Sequence, residues 1–154
     1  MHIRSYQPGD EQALWQVFHS AVHRLAAAYY SPAQLQAWAP SAPDWPAWSS
    51  RLQALQPFVA VDESGCVLGY ADLQADGYID HFFVAAQHAR HGVGRLLMQH
   101  LHQLAAQRGL DRLSADVSLN AQPFFQHFGF VLVRQQLPVL HGVALANAHM
   151  RKTL

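Results

Sequence analysis

The sequence predicts an α/β (α+β) domain on a mixed, mostly antiparallel central sheet of about seven strands, with helices on both faces. Three observations carry this. A short strand-like segment, Ile3 to Tyr6, leads into two segments of helical period. Three strand-like segments then follow one another as a meander between Pro57 and Val84. Beyond Val84, strands alternate with helical segments, which places connections across the sheet faces.

In order, Pro8-Gly9 stops the first strand, and Asp10 stands where it would cap a helix starting near Glu11. Leu14, Val17, Phe18, Ala21, Val22 and Leu25 recur at three- and four-residue spacing, giving that helix one apolar face. Ser31 caps a second helix with Pro32 in its first turn, carrying Leu35 and Trp38 to about Ala39. Prolines 40, 43 and 46 predict a loop. Phe58 to Val61 and Cys66 to Leu73 read as a hairpin around Asp62-Glu63-Ser64-Gly65. After a turn at Ala75-Asp76-Gly77, Tyr78 to Val84 reads as one central strand, too apolar for a surface loop and too short for a core helix. Leu96, Leu97, Leu101, Leu104 and Ala105 mark a helix that ends near Arg108-Gly109. Leu113 to Val117 is a strand, Pro123 to Phe128 a short helix, and Phe130 to Val133 a strand pairing with Val143 to Lys152.

A chain of 154 residues can bury roughly two thirds of its unfolded surface around a single core, so one domain over 1–154 is expected. Hydrophobic residues make up 51% and charged residues 13%, which excludes a disordered chain. Ten Lys and Arg balance ten Asp and Glu, leaving no overall field to recruit nucleic acid or an anionic membrane. Cys66 has no partner for a disulfide and Met1-His2-Ile3-Arg4 lacks the apolar run of a secretory signal, so the cytoplasm is the expected compartment. No stretch approaches the roughly 18 to 20 apolar residues of a membrane span. The eleven histidines are scattered, and His88/His91 and His100/His102 lack further convergent ligands, so no metal is expected.

Chemistry concentrates after Val84. A strand, a loop rich in small and basic residues, and Gly92-x-Gly94 opening a helix form a physical recipe for pyrophosphate binding. Glycine lets the backbone approach an anion, first-turn amides and the helix dipole favour negative charge, and Arg90 and Arg95 add complementary charge. A Gly-x-Gly before a helix is by itself more often an ordinary tight turn. No Lys-Ser/Thr follows for a Walker loop, and no early GxGxxG suits a dinucleotide fold, which leaves acyl-CoA as the diphosphate ligand.

Nearly the whole chain resembles the GNAT superfamily of N-acetyltransferases. Ile3-Arg4 with Asp10 is similar to the family's first strand and helix, and Phe83-Val84 through Gly94-Arg95-Leu96-Leu97 to its acetyl-CoA signature. Asn120 through Phe130 resembles its later Asn and Tyr-x-x-x-Gly-Phe segment, and Tyr30 through Ala39 resembles a group of small bacterial members. The resemblance implies a GNAT-type fold and acetyl-CoA as cosubstrate, held by Phe83, Val84, Ala89, Arg90, His91, Gly92, Val93, Gly94, Arg95, Asn120 and Phe125. Two departures stand out. The first polar position of the signature is Ala89, and the tyrosine that usually protonates the departing thiolate falls at Phe125, which has no proton to give.

The resemblance further implies direct attack by a neutral amine on the thioester, with a base to remove the amine proton and a strand amide near Val84 to hold the oxyanion. Alternation puts Tyr78, Asp80, Phe82 and Val84 on one face and Ile79, His81 and Phe83 on the other. The family positions that supply the base match Tyr78 and Asp80. Asp80 is therefore the first candidate for general base and Tyr78 for proton donor or orienter. Tyr29, Tyr30 and Trp38 are candidate walls of an acceptor pocket that would suit an apolar or aryl amine. The expected partner is a small-molecule amine, with no nucleic acid or membrane, and the expected state is a monomer or homodimer. The alternatives are a non-catalytic acyl-CoA-binding or sensing module and a protein N-acetyltransferase.

Overall fold

The computed structural model describes every residue from Met1 to Leu154. β1 (His2–Ser5) lies antiparallel to β2 (Phe58–Val61), with Ile3 opposite Ala60. The turn after β1 is tied by Asp10, but not as a helix cap. Its carboxylate accepts from Arg4 Nη1 and Nη2 at 2.8 and 3.0 Å and from the Gln7 N–H at 2.8 Å, and makes no side-chain cap to α1 (Glu11–Ser20). Leu14, Val17 and Phe18 are buried along α1 as the spacing predicts. The helix then widens into a π-helical turn over Ala21–Leu25. That extra residue per turn rotates the face: Ala21 and Val22 stay buried, whereas Leu25, expected inside, is exposed.

α2 (Pro32–Trp38) opens with a full capping box, in which Ser31 Oγ accepts the Gln34 N–H and Gln34 Oε1 accepts the Ser31 N–H. Where three prolines predicted a loop, a third helix forms, α3 (Trp45–Leu55). Pro46 sits in its first turn, where its missing N–H costs nothing, and Asp44 Oδ1 caps the Ala47 N–H at 3.1 Å. Trp48, Leu52 and Leu55 bury its inner face, and Trp48 Nε1 donates to the Glu11 carbonyl at 2.9 Å, locking α3 to α1.

β2 and β3 (Val67–Ala71) form the expected hairpin. The expected strand 78–84 is instead two strands, β4 (Tyr78–Ile79) and β5 (Phe82–Val84), which belong to different sheets. One sheet has the antiparallel order β1-β2-β3-β5. After α4 (Val93–Gln107), β6 (Arg112–Ser118) joins the other, in which β4 runs parallel to β6, and the later strands β10 (Asn147–Thr153) and β7 (Val131–Gln136) follow antiparallel in the order β4-β6-β10-β7. α5 (Gln122–His127) connects β6 to β7 (Val131–Gln136). The strand expected from Val143 is also divided: β8 (Val139–Leu140) and β9 (Val143–Ala144) make a small hairpin, and β10 (Asn147–Thr153) starts after it. β6 pairs with β4 only over Tyr78 and Ile79, opposite Ser114 and Ala115, so the β6 edge beyond Ala115 and the outer edge of β5 have no strand partner.

Helices cover both faces. Leu97, Met98, Leu101 and Ala105 of α4 pack with Phe125 of α5, Leu68 and Ala71 of β3 and Leu113 and Ala115 of β6. On the other face Leu14, Val17 and Phe18 of α1 and Trp48 and Leu52 of α3 pack against Val59, Val61 and Tyr70. Each such large side chain contributes about 1.5–3 kcal/mol on burial.

Candidate active site

The strand break has a physical cause upstream, at the end of β3. Asp72, just beyond β3, is fully buried, and its Oδ1 accepts the main-chain N–H of Asp80 at 2.9 Å and of His81 at 2.7 Å. The Asp72 N–H in turn donates to the His81 carbonyl at 3.1 Å. These bonds replace the ladder that a continuous strand would have made, so the chain turns from one sheet to the other without orphaned amides. Burial raises the Asp72 carboxyl, and the two backbone hydrogen bonds oppose that shift.

The turn resets the alternation. Tyr78, Asp80, His81 and Phe83 all line one cavity of 490 Å³, although His81 and Phe83 were expected on the face opposite Asp80. Phe82 turns away onto Phe124 and Phe125, with ring centroids 5.5 and 5.6 Å apart. The cavity is aromatic on one side through Phe18, Tyr30, Trp38 and Phe83, and aliphatic on the other through Pro138, Val139, Leu140 and Leu145. Its polar end holds Arg51, Asp80, Tyr78 and Asp116.

At that end the Asp80 carboxylate is paired with the Arg51 guanidinium from α3. Tyr78 donates to Asp116 Oδ2 at 2.8 Å; burial, then this bond to a carboxylate, pushes the phenol far above its ordinary range. Asp116 also accepts from Gln136 Nε2 at 3.0 Å and meets His149 Nδ1 at 2.8 Å. Burial pushes the Asp116 carboxyl up, but the hydrogen bonds from His149, Tyr78 and Gln136 outweigh it and leave it below the usual range. The His81 ring is closed in by Phe18, Trp48, Tyr70 and Phe83. Burial lowers its imidazole to about 4, with Asp80 opposing and Arg51 adding to the shift.

Of the three aromatic residues expected around an acceptor, Tyr30 and Trp38 line the cavity and Tyr29 does not; Tyr29 is 53% exposed. Adjacent residues on a turn point apart, and Tyr30 takes the inner place. Its hydroxyl donates to the Ala146 carbonyl at 2.5 Å and accepts the Leu119 N–H at 3.0 Å, fastening the start of α2 to the cavity wall.

The glycine loop lies on the far face, at the head of α4. Arg90 and Gly92 have positive φ, 64° and 86°, so the chain doubles back twice before the helix. The amides of Gly92, Val93, Gly94 and Arg95 have no acceptor within the protein. Four free N–H groups at a helix N-terminus are a donor set suited to a pyrophosphate. Arg90, His91 and Arg95 are exposed around them, Val93 is buried beneath, and Ala89 closes the short 3-10 turn Ala86–His88. Gly94 has a second reason to be glycine: a Cβ there would stand 3.1 Å from the Phe124 ring. Asn120, at the end of β6, has a buried Oδ1 with no hydrogen-bond donor. Phe125 is only 4% exposed, packed among Phe82, Phe124 and Phe130.

Residues 26–154 match the family model of the acetyltransferase (GNAT) domain. The chain belongs to the GNAT acetyltransferase family. It is 36% identical over 151 residues to the uncharacterized N-acetyltransferase YafP of Escherichia coli K12, covering 98% of this chain and 95% of that one. A GCN5-related N-acetyltransferase from Rhodopseudomonas palustris superposes with a TM-score of 0.93 at 32% identity, covering 99% of this chain and 94% of the other. The putative acetyltransferase yncA of Salmonella typhimurium, solved with its cofactor acetyl-CoA, shares the fold at a TM-score of 0.69 and 23% identity, covering 100% and 94%. In this GNAT acetyltransferase the titratable residues of the cavity lining that sequence reasoning did not place there are Arg51, His81 and Asp116. Arg51 comes from a helix hidden by its prolines and His81 from a strand break; only Asp116, alternating with buried Ala115 and Val117 on β6, carried a readable signal. No helix is long and apolar enough to cross a membrane, and no three His, Cys, Asp or Glu side chains converge on a metal position.

Proposed function

We propose that the protein transfers an acetyl group from acetyl-CoA to the primary amine of a small, apolar or aryl acceptor, by direct attack in a ternary complex. The observation that carries this reading is the pairing of two sites across one split in the sheet. On one face lie the free amides of Gly92 to Arg95; on the other lies an aromatic cavity with charged groups at one end. The orphaned Asn120 Oδ1 at the split fits an amide donor such as the pantetheine arm carries, and Arg90 and Arg95 fit its phosphates.

Acetyl-CoA supplies the activated acyl group. The protein's part is to hold an amine nitrogen against it, to remove water, and to take away a proton. Trp38, Phe83 and Phe18 line the cavity with apolar surface that suits an apolar body, and Asp80 and Tyr78 at its polar end suit the amine nitrogen. Unpaired backbone at the end of β5 supplies donors for developing negative charge near Val84. A cavity of 490 Å³ with Val139 and Leu140 of β8 in its wall suits a small molecule.

Calorimetric titration with acetyl-CoA, CoA and NADH tests the cofactor, and thiol release across an amine panel tests the reaction. Binding of the first two but not NADH, with thiol release, is expected. Binding without turnover would make the chain a non-catalytic acyl-CoA-binding module, a reading that Phe125, with no hydroxyl, favours. Absence of binding would remove the function altogether.

A further inference from the structure

Tyr70 is fully buried, and the one partner of its hydroxyl is His81 Nδ1 at 3.0 Å. A phenol proton without an acceptor there would carry the full desolvation penalty, so the hydroxyl donates and Nδ1 accepts. The ring hydrogen of the neutral imidazole therefore sits on Nε2, where no protein group accepts it, and the ring lines the cavity. Burial lowers the imidazole to about 4 against the opposing pull of Asp80, with Arg51 adding to the shift, so near neutral pH the group is an uncharged donor. Arg51 is a second donor at this end. Its half-exposed guanidinium gives one N–H to Asp80 Oδ2, and its other N–H groups have no acceptor in the protein. The remaining charged group is Asp116, whose oxygens are already taken by Tyr78, Gln136 and His149. The hydrogen-bonding capacity left unmet is thus a pair of donors beside one carboxylate.

We propose that the acceptor is an amino acid with an aryl or large apolar side chain, whose amine meets Asp80 and whose carboxylate is held by Arg51 and the Nε2–H of His81. This rests on the acetyl-transfer reading above. In the free protein Arg51 neutralises Asp80. An ammonium arriving at Asp80 takes over that role and leaves the guanidinium without a counter-charge. A carboxylate on the same molecule restores one, so a single ion pair is exchanged for two and no charge stays uncompensated in the cavity. A plain amine brings no such group and sets its own cation against Arg51. Two further properties fit the carboxylate. A guanidinium and a neutral N–H together present donors to both oxygens of a planar anion, and the His81 donor is fixed in direction by Tyr70 rather than free to turn away. The body of the acceptor then lies against Phe18, Trp38 and Phe83, with Val139, Leu140 and Leu145 opposite, in a cavity of 490 Å³ that suits a ligand of that size.

Thiol release from acetyl-CoA tests this with matched acceptors: phenylalanine, tryptophan and leucine, each beside its amide and its decarboxylated amine. For at least one of the three, kcat/KM of the amino acid should exceed that of the decarboxylated amine by about tenfold or more, with the amide below the acid. Arg51→Gln should shrink that ratio by about tenfold. The basicity of each amine is the same in both proteins, so the change in ratio reports the carboxylate contact, whereas a merely structural effect would lower both rates alike. His81→Phe should shrink the ratio by about threefold or more. If it does not fold, ¹⁵N NMR of labelled imidazoles, with His81 assigned by its shift in Tyr70→Phe, decides in its place: Nε2 should be protonated and Nδ1 bare from pH 6 to 8, and the opposite tautomer would overturn the proposal. Decarboxylated amines used as well as the amino acids, or a ratio that Arg51→Gln leaves unchanged, overturn it while acetyl transfer stands. A wild type that releases no thiol with any amine or amino acid overturns the acetyl-transfer reading and this proposal together.

Discussion

Asp72 Oδ1 accepts the His81 N–H at 2.7 Å from a position that is itself fully buried. One carboxylate oxygen thereby decides where the sheet divides and which side chains enter the cavity. Asp72→Leu leaves the Asp80 and His81 amides buried and unpaired, and should cost about 2–4 kcal/mol, read as a lowered denaturant midpoint. Asp72→Asn keeps an acceptor at the same place and should stay within about 1 kcal/mol. Because burial raises the Asp72 carboxyl above its unfolded value, its contribution to stability is fully present at low pH and declines as pH rises through the folded pKa. The asparagine variant should lose that particular slope.

Asp80→Asn should lower kcat/KM by about tenfold or more while acetyl-CoA affinity, measured by calorimetry, changes less than twofold. Removing the carboxylate leaves Arg51 without its partner inside the cavity, so acceptor KM should rise as well. Equal kinetics in the two proteins would take Asp80 out of the site.

Gly92→Val should weaken acetyl-CoA binding by at least about tenfold. Gly92 holds a φ of 86°, a conformation a β-branched residue resists, so the four free amides would lose their arrangement. A calorimetric affinity equal to that of the wild type would move the cofactor away from this loop.

Tyr30→Phe removes the donor to Ala146 and the acceptor of the Leu119 N–H, at a cost of about 1–3 kcal/mol. Since those bonds tie α2 to the cavity wall, acceptor KM should rise, with acetyl-CoA affinity unchanged. Initial-rate measurements over both substrates separate the two effects.

How much of this was legible varies with how local the cause is. The Ser31 cap with Pro32 in the first turn and the apolar face of α4 were readable because each is decided within a few residues. α3 was hidden because Pro46 reads as a breaker unless Asp44 is recognised as a cap, and with α3 went Arg51. The exposure of Leu25 follows from a π turn, which shifts the helical phase without any sequence mark. The split at Asp80 was illegible for the opposite reason: its cause, Asp72, lies just beyond β3, and only the folded chain brings it to the two amides. Tyr78, Asp80, Tyr30 and Trp38 come together as candidates of one cavity, while Tyr29 falls outside because backbone direction separates neighbours.

The two layers of helices have a kinetic corollary. α4 and its glycine loop cover one face of the sheets; α1, α2 and α3 enclose the cavity on the other. On the acetyl-transfer reading, two ligands arriving on those faces would have separate doorways and meet between β5 and β6, so neither would have to leave before the other entered. Double-reciprocal plots should therefore intersect rather than run parallel, and a dead-end amine analogue should compete with the acceptor while leaving the nucleotide side free to exchange.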